Sequence, residues 1–167
     1  QSITHVRLQF EGGGALDAPL AVLAEGSAAR PNKNTDWAIV TSVQINGLAP
    51  GVAVERFTRE GPLALLPEPS LPAQTPSLSL VWCMSEAQCS RRTSLPEAAF
   101  LDELQQALGP RIGAPTGVGP RHRFPLTQHL EPRVHRHRVV HIGNAAQTLH
   151  PVAGQGFNLG LRDSVVL

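Results

Sequence analysis

At 167 residues, with 41% apolar and 16% charged side chains, the chain has the composition of a folded domain with its own core, not of a disordered segment. A formal net charge of +1 lacks the electrostatic footprint of a nucleic-acid binder. No apolar run approaches the ~20 residues of a membrane span, and Gln1 to His5 lack the basic, apolar and small-residue succession of a signal peptide. Cys83 and Cys89 are too few for a disulfide scaffold and read as reduced thiols of a cytoplasmic protein.

The alternation over Ile3–Phe10 predicts a half-buried strand, with Val6, Leu8 and Phe10 on its inner side. Gly12-Gly13-Gly14 then permits a sharp turn. Leu20–Ala24 is a continuous apolar run and predicts a strand buried on both faces, ended by Glu25-Gly26-Ser27. Residues 28–36 are polar and read as a mobile loop. Strands are expected over Ala38–Ile45, Val52–Thr58 and Leu78–Cys83, the first two parted by a turn at Gly47–Gly51. Gly61–Pro67 is extended but bounded by prolines, which places it at a sheet edge or along a pocket. Residues 67–76 carry four prolines and read as a loop.

One helix is expected from Ser94 onwards. Ser94 and Glu97 have capping-box spacing, and Pro96 suits a first turn. Phe100, Leu101, Leu104 and Leu108 recur at helical spacing until Gly109-Pro110. Residues 109–120 are rich in Gly and Pro. A basic run, Arg133–Arg138, precedes a short apolar strand, Val139–Ile142. Gly143–Ala146 follows as a loop, Gly154-Gln155-Gly156 as a turn, and Phe157–Leu167 as a helix. The direct start into a strand pattern and the apolar end Val165–Leu167 suggest a piece of a longer chain. Trp37 and Trp82 are expected in the core. His135 and His137 would share one strand face with His141 further along, but no Cys or carboxylate stands at ligand spacing, so no metal is expected. The basic run reads first as solvated surface and second as a contact for anionic lipid.

The segment that carries chemistry runs from Arg138 to Asp163. A buried strand delivers a loop to the start of a helix, where the first N–H groups have no internal partner and carry the positive end of the dipole. Such an end holds an anion or an electron-rich carbonyl. Gly154, Gly156 and Gly160 give G-x-G-x-x-x-G, one residue longer than the dinucleotide fingerprint, and the strand ends well before them. From the residues alone, a ligand site and a turn that merely lets a helix pack closely both stay open.

This segment, RVVHIGNAAQTLHPVAGQGFNLGLRD, closely resembles the second FAD motif of the flavoprotein hydroxylases related to p-hydroxybenzoate hydroxylase. Within them it is similar to the ubiquinone-biosynthesis hydroxylases, and most to the 2-octaprenyl-6-methoxyphenol hydroxylase branch, where Asn replaces the commoner Asp. Glu55–Thr58, Gly61–Pro67, Ser79–Cys83 and Phe124–Leu126 match upstream, so the resemblance spans nearly the whole chain. It implies an α+β fold: a mostly antiparallel sheet with one helix against it and a C-terminal strand-loop-helix. Residues 1–29 would belong to the FAD-binding domain, 30–132 to the substrate-binding domain, and 133–167 to the second FAD motif. The turn at Gly143, Asn144 and Ala145 would meet the FAD ribose or pyrophosphate, and Pro151 would lie beside the isoalloxazine. The backbone of Gly154, Gln155, Gly156, Phe157 and Asn158 would face the flavin pyrimidine edge. Glu25 would stand for the family's Asp-Gly carboxylate. Arg56, Phe57, Pro62 and Leu66 would wall the substrate pocket.

The implied activity is a monooxygenase reaction. FAD, reduced by NAD(P)H, forms a flavin hydroperoxide that hydroxylates a polyprenylated phenol in ubiquinone biosynthesis, in the cytoplasm or at the periphery of the inner membrane. No side chain stands out as a catalytic acid or base. The family's first motif, G-x-G-x-x-G, is absent, so the chain itself is expected to be inactive, to lack FAD and to self-associate through Leu20–Ala24 and Val165–Leu167. A non-catalytic module that binds substrate-like lipid, and another flavin oxidoreductase on the same scaffold, are the alternatives.

Overall fold

The computed structural model describes residues 4–26, 29–68, 77–151 and 154–167. It divides into two compact units, one of residues 31–126 and one of residues 1–30 together with 127–167. In chain order the elements are β1 (Val6–Gln9), β2 (Ala15–Ala18), β3 (Ala21–Leu23), β4 (Trp37–Asn46), β5 (Val54–Phe57), β6 (Pro62–Pro67) and β7 (Leu78–Met84). They continue with α1 (Glu86–Thr93), α2 (Glu97–Leu108), β8 (Ala114–Val118), β9 (His122–Pro125), β10 (His129–Leu130), β11 (His135–Arg136) and β12 (Val139–His141). A 3-10 turn at Gly143–Ala145, β13 (Gln147–Thr148) and α3 (Gly156–Val166) complete the chain.

Residues 31–126 form a six-stranded antiparallel sheet in the order β5-β6-β7-β4-β8, with β9 also paired to β4. At ten residues β4 is long enough to hold two partners on one side, Trp37–Val40 against β9 and Val43–Asn46 against β8. Its alternation sends Ile39, Thr41 and Val43 to one face. There they join Leu63, Leu65, Leu80, Trp82 and Met84 under α1 and α2, whose Cys89, Phe100, Leu104 and Leu108 close the core. Each large apolar side chain so buried contributes about 1.5–3 kcal/mol. Trp82 is fully buried, meeting Phe100 edge-on at 6.1 Å, while Trp37 is half-buried. Both cysteines are free and buried, and burial pushes the Cys83 thiol up to about 11.

Several expectations need correction here. Gly61–Pro67 is not an edge: β6 lies between β5 and β7. Its prolines stand at the first and last positions, where they spare the ladder, and Leu63 and Leu65 between them are fully buried. Two helices cover the sheet, not one. The unpredicted α1 is polar, EAQCSRRT, but Ser85 caps it by accepting from the Gln88 N–H at 3.5 Å. Ser94 does not cap α2. It ends α1 and donates its hydroxyl to the Ser90 carbonyl, while Pro96 takes the N-cap place without a side-chain bond. Gly109, at φ 74°, ends α2 as expected. Strands β8 and β9 occupy a stretch read only as Gly- and Pro-rich or left unassigned. The supposed mobile loop contains an ordered turn in which Thr35 and Asn32 exchange hydrogen bonds. Ser27, Ala28 and most of the 67–76 loop, residues 69–76, lie outside the described residues.

In the other unit β1 and β2 form a hairpin turned by Gly13 and Gly14, at φ 84° and 97°, with Arg7 and Asp17 paired across it. Val6 and Leu8 are half-buried as the alternation predicts, but Phe10 falls beyond the strand and is exposed. Ile3 lies outside the described residues. A three-stranded sheet runs β11-β12-β3, with β3 parallel to β12. As an edge strand β3 buries Ala21 but leaves Val22 41% exposed, so it is not covered on both faces. His137 is not on a strand face with His135. It forms, with Arg138, a two-residue hairpin turn in which both have positive φ, 34° and 58°.

Candidate functional site

The C-terminal end of β12 opens into a cavity of about 630 Å³ lined by Ala24, Ile142, Gly143, Asn144, Thr148, Leu149, Gly156, Phe157, Gly160, Leu161 and Ser164. That size suits an organic ligand or part of a larger one. The sheet builds it simply. β3 and β12 run parallel and in register, Ala21 to Val139 and Leu23 to His141, so Ala24 and Ile142 emerge side by side. The Ile142 N–H donates to the Leu23 carbonyl at 3.0 Å and continues the ladder to the rim. In open α/β sheets ligands collect in such a crevice, outside the carboxyl ends of the strands.

The chain then turns at Gly143, φ +57°, and winds through the 3-10 turn with Ala145 and Ala146 buried beneath it. Asn144 stays exposed on the cavity wall. The opposite wall is α3. Its N-cap residue, Gln155, makes no side-chain capping bond, and its first turn holds no acidic residue. The leading N–H groups of this helix thus have no intrahelical partner and carry the positive dipole end. The Gly143 N–H donates to Asp163 Oδ2 at 3.1 Å and ties the turn to the helix.

Glycine geometry separates packing from access. A Cβ at Gly160 would stand 3.4 Å from the Gly143 Cα, at van der Waals contact, so Gly160 packs directly against the turn. At Gly156 a Cβ would meet nothing within 4 Å, and the backbone there is ordinary helix. Neither strain nor packing explains glycine at 156. Open space before a bare backbone is what a closely approaching ligand uses. Gly160 thus packs against the turn, while Gly156 presents open backbone to the cavity.

Of the expected cofactor residues, the cavity collects Gly143, Asn144, Gly156 and Phe157. Ala145 is buried behind the turn; Pro151, Gly154, Gln155 and Asn158 are exposed outside the lining. Glu25 is exposed in the bend after β3, where its neighbour Ala24 lines the wall instead. Val152 and Ala153 lie outside the described residues. Thr148, Leu149, Leu161 and Ser164 join the lining without having been singled out, because their approach depends on the fold of α3 and β13 against the turn.

The four expected substrate residues divide between the two faces of the six-stranded sheet. Register puts Phe57 opposite Pro62, and Leu66 follows on that same face, away from the helices. Phe57 and Leu66 are 71% and 45% exposed, and Phe124, from β9, adds a third exposed apolar side chain to this face. Arg56 points the other way. Its guanidinium donates to the Leu108 carbonyl at 2.6 Å and closes the C-terminus of α2, packed so closely that a Cβ on Gly109 would lie 2.9 Å from it. Among the described residues no three His, Cys, Asp or Glu side chains gather as a metal site.

A parallel strand pair, a turn and an uncapped helix surround one crevice at strand ends, the place where open α/β sheets hold nucleotide-type cofactors. A family model described as an FAD binding domain matches residues 34–167, and the chain belongs to that family. Ubiquinone hydroxylase UbiL from Rhodospirillum rubrum is 40% identical over 130 residues, covering 78% of this chain and 29% of that protein. The 3-demethoxyubiquinol 3-hydroxylase of Escherichia coli is 30% identical over 168 residues, covering 93% and 41%. PqsL from Pseudomonas aeruginosa, solved with 2-aminobenzoylacetate, shares the fold at a TM-score of 0.69 and 18% identity, over 95% of this chain and 47% of that one. The chain thus spans less than half the length of these relatives.

Proposed function

We propose that this chain supplies the flavin-ring side of the cofactor site and the substrate-facing sheet of an FAD-dependent monooxygenase that hydroxylates a polyprenylated phenol. The observation that carries the cofactor half is the bare backbone at Gly156, in a cavity shared with Gly143 and Asn144. The substrate half rests on the apolar face of Phe57, Leu66 and Phe124, which suits a greasy aromatic compound. On this reading residues 1–29 and 133–167 serve the flavin and residues 30–132 the substrate. When bound, FAD reduced by NAD(P)H would supply the oxygen chemistry as a flavin hydroperoxide. The chain's residues hold and orient it. Asn144 offers a hydrogen bond without charge, and the first N–H groups of α3 favour an electron-rich edge by about 0.3–1 kcal/mol, more where the site is dry.

The adenine end of such a cofactor needs the G-x-G-x-x-G helix start, which this sequence lacks. The chain purified without added cofactor should therefore leave gel filtration colourless. Stoichiometric flavin absorbance in the protein peak would contradict this division of labour.

A second reading, association of the chain with itself, is favoured by Phe157, Leu161, Val165 and Val166, which are 79%, 54%, 79% and 79% exposed along α3. Exposed apolar side chains of α3, and separately the open edge of β3, are features that seek a partner. Sedimentation should show dimers or larger species that grow with concentration. A strict monomer throughout would count against it. The basic run Arg133–Arg138 is proposed as a contact for anionic lipid at the membrane periphery. Among the described residues no helix is long and apolar enough to cross a membrane.

A further inference from the structure

Two residues of α3 break local rules on the same side of the helix. Gly160 sits mid-helix, where glycine costs about 1 kcal/mol against alanine. Asp163 sits at the eighth of eleven positions. Aspartate is a poor helix former, and a negative charge towards a helix C-terminus opposes the dipole. Such local conflicts are expected where tertiary or functional demands decide the residue. Here both conflicts resolve at one place. Gly160 packs against the Gly143 Cα, and Asp163 Oδ2 accepts the Gly143 N–H at 3.1 Å, twenty residues away in sequence. Gly143 is also the residue at φ +57° that swings Asn144 onto the cavity wall.

We infer that Asp163 is a positioning residue: its carboxylate, with Gly160 as the close-packing point, clamps the Gly143–Asn144 turn to α3 and sets the width of the cavity between them. What the clamped turn holds rests on the flavin reading above; the clamp itself does not. Asp163 is half-buried, so water competes with the Gly143 N–H only in part. Without the carboxylate that N–H loses its partner at the rim, and the turn is free to leave the helix.

The test is amide exchange at Gly143 in the ¹⁵N-labelled chain, compared for Asp163→Leu, which is close in shape but has no acceptor, and Asp163→Asn, which keeps a carbonyl acceptor. Loss of one hydrogen bond of ordinary net strength corresponds to about tenfold faster exchange. That increase is expected for Leu, with exchange in β4 and β7 unchanged, and Asn should restore most of the protection. Should the Leu variant fail to fold, Asp163→Ser, too short to reach the turn, serves in its place. Equal exchange in the parent and the acceptor-less variant, or no rescue by Asn, would overturn the clamp. Titration with FAD separates the two claims. If FAD shifts the Asn144 amide of the parent and binds Asp163→Leu equally well, positioning fails and the flavin reading stands. If FAD shifts no amide of the turn in the parent, the flavin reading fails, while the exchange data still decide the clamp.

Discussion

Arg92→Ala should lower the stability of the 31–126 unit by about 3 kcal/mol, because it removes a buried cation with two charge-assisted hydrogen bonds and its packing over a core ring. For a protein of this size that corresponds to a melting temperature lower by about 6–12 °C. The side chain of Arg92 is 8% exposed. Its Nε donates to Glu103 at 2.8 Å and its Nη1 to Glu60 at 2.5 Å, while its guanidinium lies 4.1 Å over the Trp82 ring. One cation thus joins α1 to α2, to the β5–β6 turn and to the largest core ring. Glu103 is also gripped by the Arg91 fork, and these hydrogen bonds, with Arg91 first, hold its carboxyl down to about 2, from an ordinary 4.5. A carboxyl depressed by folding contributes stability above its unfolded value and loses it as the pH falls through its folded one. The deficit of Glu103→Gln should therefore be full at neutral pH and shrink between about 4.5 and 2. Urea unfolding across that range checks both variants. An Arg92→Ala melting curve matching the parent would show that the knot does not carry the packing of the two helices.

Gly156→Leu should separate folding from cofactor affinity. Because a Cβ there meets open space on ordinary helical backbone, the change should leave stability equal or raise it by about 0.5–1 kcal/mol, as glycine replacement in a helix does. The same side chain enters the space where the ligand must approach. FAD affinity should fall by at least about tenfold, the cost of losing ~1.4 kcal/mol of contact. A stable variant with unaltered FAD affinity would remove Gly156 from the site.

Legibility in the sequence followed the range of the interactions. Strands β4 and β7 and helix α2 announce themselves because their core faces repeat at period 2 or 3.6 over seven residues or more. Helix α1 has no such stripe. Its buried residues are Cys89 and Arg92, and a buried arginine reads as surface until its two carboxylates are known. The cap pair Ser85 and Gln88 was the signal that could have revealed it. Ser94 carried the same kind of signal falsely, because capping spacing does not say which of two adjacent helix ends a serine serves. The place of β6 inside the sheet depended on β5 and β7 flanking it, which no local pattern encodes. At the candidate site, Gly143, Asn144 and Gly156 are named by the family resemblance, and all three line the cavity. The link from Gly143 to Asp163 was not, since it joins a strand end to the third turn of a helix and leaves no periodic trace. Arg56 shows the reverse case: the resemblance implies a pocket residue, but strand alternation turns it onto the α2 carboxyl end.

The central claim is that the crevice between the Gly143 turn and α3 receives the flavin. Its most direct test is a ¹⁵N–¹H correlation spectrum of the chain titrated with FAD to millimolar concentration. Saturable shifts are expected at the amides of Gly143, Asn144, Gly156 and Phe157, abolished in Gly156→Leu, with the amides of α1 and α2 unmoved. Shifts absent from the turn and helix start, or confined to residues 31–126, would contradict it.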